Sequence, residues 1–255
     1  YDLACRVRAV LLERTRAVVH PVMQDESSGF APLSRIRRDT DEVLLSTPRF
    51  RLARQPSRSA VNLRWVLSND VRRRLVGGGV PEDRIVFISL HADSLHESAR
   101  GSMAYYASAQ YRAPCSGIPA DASWRGLKEA VDDNGFTMTS RDMLKSEGLS
   151  RALGESIVSS VSRAGLPVHG FSPVRGSIVR SGVWVPAVLK YNRVQAAVLV
   201  EACNLNNPED QLNLRDPAFR QQFAEGVVDG IEAYFGDADA KAATPASGAK
   251  RAAAR

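Results

Sequence analysis

Residues 84–93 read RIVFISLHAD, Arg84 through Asp93. From Ile85 to Leu90 the run is apolar but for Ser89, is β-branched or aromatic at several places, and is closed by His91 and Asp93. Six such residues are too few for a buried helix and fit a strand buried on both faces of a parallel sheet. His91 then stands at the carboxyl end of that strand, the edge of an open α/β sheet at which ligands bind. A second run of the same kind, AAVLVE at Ala196–Glu201, also ends in an ionisable residue. A carboxylate at such a place is costly unless it is paired, hydrogen-bonded or set beside a metal. Glu201 and His91 are therefore candidates to converge at one edge of one sheet.

Around these two strands the chain alternates helical periodicity with irregular stretches. Residues 1–16 carry Leu3, Ala4, Val7, Val10 and Leu11 at helical spacing, and a short β-like segment follows over 17–23. Helices are expected over 61–76, 149–164 and from Asp216-Pro217 to Phe235. Gly77, Gly78 and Gly79 trail the first of these. No GK[ST] follows them, so they read as a helix cap and not as a phosphate cradle. GSMAYYA at 101–107 reads as the next strand, a shorter one lies near 177–180, and 203–210 is a turn-rich loop. Residues 24–60 are expected to be a long, partly ordered loop, 110–140 a second insertion, and 236–255 a disordered tail.

With 255 residues, 44% of them hydrophobic, the chain fits one large α/β domain. No apolar run approaches the eighteen or so residues of a membrane span. The formal net charge of +6 comes from arginines in clusters such as Arg35–Arg38 and Arg72–Arg74. No aromatic interleaving or nucleic-acid motif accompanies them, so they read as a solvated basic face and no nucleic-acid partner is expected. Cys5, Cys115 and Cys203 are three, without CxxC spacing, and suggest neither a disulfide framework nor a thiolate metal site. The pattern HxDxxHE joins His91 to His96, but five residues across a strand end and a loop are not the i, i+4 of a helical HExxH site. His20 follows the first helix, and His169 lies in a loop ahead of the second strong strand.

Three segments resemble the zinc-dependent N-acetylmuramoyl-L-alanine amidases, the peptidoglycan amidases of the amidase 3 family. They are VFISLHADS at 86–94, AAVLVEACNLNNPEDQLNLRDPAFRQQFAEGVVDGIEAYF at 196–235 and, more weakly, YDLACRVRAVLLE at 1–13 followed by RDTD at 38–41. The resemblance implies an α/β fold with an open, mostly parallel twisted sheet flanked by helices. It also implies a zinc ion (Zn2+) held by a histidine in a Gly-His-Gly-Gly-like loop, a glutamate just before the first helix and the histidine of the SxHAD strand. The last maps on His91, and the family's catalytic glutamate on Glu201. Three ligands leave zinc an open position for water, and Glu201 would act on that water as general base and on the leaving amine as general acid. The substrate implied is peptidoglycan, cut between N-acetylmuramic acid and L-alanine, in a periplasmic or extracellular cell envelope.

The sequence departs from the family at the other two ligands. It holds no Gly-His-Gly-Gly-like loop, and no glutamate precedes the first helix, which begins at once; both are expected upstream of Tyr1. The organisation expected is thus an amidase-like domain over 1–235, with insertions near 24–60 and 110–140 that suit a lid over the zinc edge. A catalytically silent domain that binds cell-wall glycan or a partner, and another zinc hydrolase such as a carboxypeptidase, are the two rival readings.

Overall fold

A computed structural model describes residues 1–36, 41–51, 57–116, 122–124, 126–132, 135–179 and 182–243. The chain opens with α1 (Asp2–Arg14) and three short strands, β1 (Met23–Asp25), β2 (Glu42–Leu44) and β3 (Phe50–Arg51). Then come α2 (Ser57–Gly77), β4 (Val86–Asp93), β5 (Met103–Tyr105), β6 (Cys115–Ser116), α3 (Lys128–Asp132), β7 (Phe136–Thr137) and α4 (Ser140–Arg163). The last part holds β8 (Val174–Arg175), β9 (Ile178–Val179), β10 (Val183–Trp184), α5 (Ala187–Lys190), β11 (Ala196–Asn204), α6 (Pro208–Arg215) and α7 (Pro217–Ala243).

The central sheet has the spatial order β4-β11-β5-β8. Two of its three pairings, β4 with β11 and β5 with β8, are parallel, and β11 with β5 is antiparallel. Every residue of β11 is buried. Alternation along the strand sends Ala196, Val198, Val200 and Ala202 to a core shared with Leu3, Val7 and Val10 of α1, Leu153, Ile157 and Val161 of α4, and Phe223, Val227 and Val228 of α7. Ala197 and Leu199 go to the other face, against Met103 and Tyr105 of β5 and Val188 and Leu189 of α5. Strand β4, expected to be buried on both faces, is half-buried at all eight positions. It pairs on one side only among the described residues, so its place at the sheet's edge leaves it less covered than β11.

Helix ends follow their local chemistry. Helix α2 closes with Gly79 at φ 91° while Val80 N–H reaches Leu75 O at 3.0 Å and Gly79 N–H reaches Val76 O at 3.0 Å, a Schellman cap. Helix α4 starts nine residues before the expected Leu149, because Thr139 and Asp142 form a reciprocal capping box ahead of a stretch poor in apolar residues. Asp216 accepts from Ala218 N–H at 2.8 Å at the head of α7, which runs past the expected Phe235 to Ala243; residues 244–255 lie outside the described residues.

The two expected insertions are built differently from loops. Within 24–60, β1, β2 and β3 form a small antiparallel sheet. Leu44 and Phe50 share a core with Leu63, Trp65 and Val66 of α2 and with Trp124, Leu127 and Met138 of the second insertion. Thr47 seals the contact, donating from its amide and its hydroxyl to the Glu129 carboxylate at 2.9 Å each. Of the RDTD match, residues 38–40 lie outside the described residues.

Helices α4 and α7 approach closely at small residues. A Cβ on Gly230 would stand 2.4 Å from Ile157 Cα and 2.8 Å from Ile157 N, whereas one on Gly148 of α4 would meet nothing within 4 Å. Gly230→Ala should therefore destabilise the protein by about 1–3 kcal/mol through overpacking. Gly148→Ala should stabilise it by roughly 0.4–1 kcal/mol through helix propensity. Denaturant unfolding of the two variants checks the opposite signs.

Candidate active site

Parallel pairing sets Glu201 of β11 directly beside His91 of β4. Alternation puts both on the face away from the three-helix core: Val86, Ile88 and Leu90 pack with α1, α4 and α7, and Phe87 packs with the other side. Ser89, His91 and Asp93 therefore share the face of Leu199 and Glu201. His91 Nε2 lies 3.0 Å from Ser89 Oγ. Burial lowers the His91 imidazole to about 4, helped by the positive charge of Arg64 and opposed by Asp93. The ring is therefore neutral at pH 7, the form that can offer a lone pair.

Glu201 is 6% exposed, and its Oε2 is buried without a hydrogen-bond partner among the described residues. Burial raises its carboxyl to about 8, and the negative charge of Asp93 adds to the effect. Asp93 is itself fixed by the Tyr105 hydroxyl, which donates to its Oδ2 at 3.1 Å from β5 across the sheet. The pair thus combines a neutral imidazole with a proton-holding carboxyl, in a setting suited to moving protons near neutral pH.

The loop that follows β4 is held by side-chain amides from the segment after β11. Asn204, 1% exposed, donates to His96 O at 2.8 Å and to Ala99 O at 2.7 Å, and accepts from Leu95 N–H at 2.9 Å. Asn206 donates to Leu95 O at 2.7 Å and Asn207 to Glu97 O at 2.8 Å. Asp210 accepts from Gly101 N–H and Asn204 N–H at 2.8 Å each. The turn-rich loop expected over 203–210 runs into α6, whose start is marked by the Asn207 cap and Pro208.

The other histidines stand apart from the pair. His96 is exposed and turns its Nδ1 to Ser98 Oγ at 2.9 Å. His20 lines a small cleft with Asp70, Arg74 and Glu129. His169 Nδ1 faces the Phe171 backbone. Cys5 and Cys203 are free and buried. Within the basic cluster of α2, Arg72 pairs with Glu82, and Arg73 and Arg74 with Asp70.

Whether these groups suit a metal is decided by their number. Among the described residues, no three His, Cys, Asp or Glu side chains come together in a way that could hold an ion. His91 offers one fitting donor, and structural or catalytic zinc requires at least three from protein. The described residues therefore do not make a complete zinc site.

A buried acid beside an imidazole at the carboxyl edge of an α/β sheet is an arrangement suited to acid–base chemistry. The chain belongs to the Amidase_3 family, N-acetylmuramoyl-L-alanine amidase, whose model matches residues 68–233. It is thus a peptidoglycan amidase by family, and the family is generally zinc-dependent. Among solved structures, the N-acetylmuramyl-L-alanine amidase Ami1 from Mycobacterium smegmatis is similar at 20% identity over 92% of this chain and 74% of that one, with a TM-score of 0.50, a likeness of fold. The apo form of Ami1 from Mycobacterium abscessus is 22% identical over 65% of this chain and 60% of its own, with a TM-score of 0.39. The catalytic domain of CwlV from Bacillus (Paenibacillus) polymyxa var. colistinus is 17% identical over 92% and 81%, with a TM-score of 0.48. No curated protein matches the sequence.

The state of Glu201 has a consequence for stability. Its folded pKa, about 8, lies above the ordinary 4.5. The fold therefore favours the neutral carboxyl, and the stability of the metal-free protein is expected to fall as pH rises from about 4.5 through about 8. Glu201→Gln cannot titrate. Its advantage over the parent should be near zero at and below pH 4.5 and grow to about 3–5 kcal/mol above pH 8. Chemical denaturation of both proteins across this range measures it; a difference that does not vary with pH would show that the carboxyl is not held neutral.

Proposed function

We propose that this chain hydrolyses the amide between the lactyl group of N-acetylmuramic acid and L-alanine, with Glu201 as the proton-transferring group. The observation that carries the reading is the registered Glu201–His91 pair within the family match. In the reaction water adds to the amide carbonyl, the C–N bond breaks, and the stem peptide leaves as a free amine. In its ionised form, the minor one at pH 7 and the major one above about 8, Glu201 takes the proton of the attacking water and returns it to the nitrogen of L-alanine, a role for a buried carboxyl with one oxygen unpartnered among the described residues. Tyr105, through Asp93, steadies the electrostatic surroundings of that carboxyl.

His91 is proposed as one ligand of the family's zinc. Because the described residues supply no complete ligand set, no step of the reaction is assigned to the metal here. The work site of such an enzyme is the cell envelope, periplasmic or extracellular, where its polymeric substrate lies. No helix among the described residues is long and apolar enough to cross a membrane.

Replacement of Glu201 by Gln or Ala should lower the rate of stem-peptide release from purified peptidoglycan by 10²-fold or more, as expected for loss of a general acid/base, and circular dichroism should report an unchanged fold. Full activity in either variant would refute the role of Glu201. The incomplete ligand set favours a second reading, a silent amidase-like domain that binds cell-wall glycan or a partner. Elemental analysis of the dialysed protein separates the two. About one zinc per chain, lost in His91→Ala, accords with the catalytic reading. Near-zero zinc together with sedimentation on peptidoglycan and no peptide release accords with the silent one.

A further inference from the structure

One charged side chain at the Glu201–His91 face is without a partner. Arg64 belongs to α2, and the residue after it, Trp65, lies against Tyr191 with ring centres 5.3 Å apart. One helical turn on, Ser68 accepts from Asn192 Nδ2 at 3.2 Å, and Asn69 donates to Tyr191 O at 3.0 Å and accepts from Arg193 N–H at 2.8 Å. Helix α2 is thus fastened to α5 and to the segment leading into β11. Val188 and Leu189 of α5 in turn cover Ala197 and Leu199 on the face that carries the pair. The charge of Arg64 acts on His91, whereas the acid acting on Glu201 is Asp93. The cation therefore lies nearer the imidazole than the carboxyl.

Guanidinium groups that only hold the fold together look different. Arg220, fully buried, donates from Nε to Asp2 and from Nη1 and Nη2 to the carbonyls of Leu214, Arg215, Leu33 and Ser34. Arg112 donates to Ser146 Oγ, Asn192 O and Val194 O. Arg64 makes no hydrogen bond and no ion pair among the described residues, and its Nε is buried. Burial pushes its guanidinium below the ordinary value, opposed by the charge of Glu42 of β2, which forms no ion pair with it. A guanidinium keeps its proton even so. Arg64 is therefore a partly desolvated cation on a rigid helix, its N–H donors free, beside one member of the catalytic pair.

What it would hold follows from where negative charge arises. The scissile amide is neutral in the substrate. Charge develops on its carbonyl oxygen once water has added, and it remains on the lactyl carboxylate after the C–N bond breaks and both protons of the water have passed to the departing amine. We propose that Arg64 binds this oxygen, stabilising the charge as it develops and then holding the carboxylate of the product. The proposal rests on the amidase reading for the identity of the ligand. A fixed donor in a desolvated place favours the developing anion over the neutral amide, so it acts on the rate more than on substrate binding.

Titration calorimetry with the Glu201→Gln protein, in which no turnover intervenes, tests this with two probes: N-acetylmuramic acid, bearing the free lactyl carboxylate, and its amide. The acid should bind about tenfold more tightly. R64Q should abolish that preference, R64K should keep part of it, and E42Q should leave it intact. In release of stem peptide from purified peptidoglycan, R64Q alone should lower kcat about 10²-fold and change KM less than about threefold. Equal binding of acid and amide, binding of neither, a preference that survives R64Q or one lost altogether in R64K would overturn the assignment. So would an E42Q protein that behaves as R64Q does, which would make Arg64 a structural partner of Glu42. A parent that releases no peptide yet prefers the acid through Arg64 would defeat the catalytic reading and leave the anion site standing. Hydrolysis by R64Q at the parent's rate would do the reverse.

Discussion

The complete burial of β11 governs the rest of this structure. A strand whose nine residues are all buried has apolar neighbours on both faces, and Glu201 must occupy one of those positions. The alternation that sends Val198, Val200 and Ala202 into the three-helix core leaves Glu201 on the opposite side. There the charge of Asp93 reaches it, and it stands in register with His91 of β4 on one side and Met103 of β5 on the other. Desolvation then does to each group what it does to any ionisable group. It holds the acid protonated and the imidazole neutral, so both are brought to uncharged forms by one cause.

Such a pair keeps its geometry only if the strand ends beyond it are fixed. The end of β4 and the segment after β11 are polar, and their backbone groups lose the sheet as a partner where the ladder shifts between Glu201 and Asn204. Side-chain amides replace it. Asn204, Asn206 and Asn207 satisfy carbonyls of residues 95, 96, 97 and 99, and Asp210 caps two amides with one oxygen. An amide side chain offers donors and an acceptor at once, so asparagines here satisfy several loop carbonyls that an apolar residue would leave without this donor. The loop carrying His96 is thereby a fixed wall of the site.

The sequence disclosed the strands and not their surroundings. Ile85–Leu90 and Ala196–Val200 stand out as apolar runs, which the structure extends to strands Val86–Asp93 and Ala196–Asn204, and α1, α2 and α7 as helical stripes, because each depends on a pattern several residues long. The three strands at 23–51 are two or three residues each, too short to show alternation, and so a small sheet was expected to be loop. The first turns of α4 are polar, and only the capping pair Thr139 and Asp142 marks them. His91 and Glu201 were legible because each ends its own strand. Tyr105 and Asn204 were not, since the order β4-β11-β5-β8 places residues distant in sequence side by side, and no local pattern encodes that order.

The two faces of the sheet divide stability from chemistry. On one, α1, α4 and α7 close over β11 with contacts tight enough that Gly226 and Gly230 lie against the backbone of Val161 and Ile157. That face is largely apolar, its buried polar groups, such as the Asp2–Arg220 pair and the Ser156 hydroxyl, have partners, and it fixes the strand's position. On the other, the cover over β11 is thinner, drawn from β5, α5 and a few half-buried residues such as Phe87, Leu95 and Ile178. A carboxyl held neutral without a hydrogen bond on one oxygen is unfavourable for folding, and the fold accommodates it because the opposite face carries most of the apolar burial. Moving Glu201 one position along β11 would turn it into the three-helix core and remove it from His91, so the period of two that builds the sheet also decides which face this carboxyl occupies.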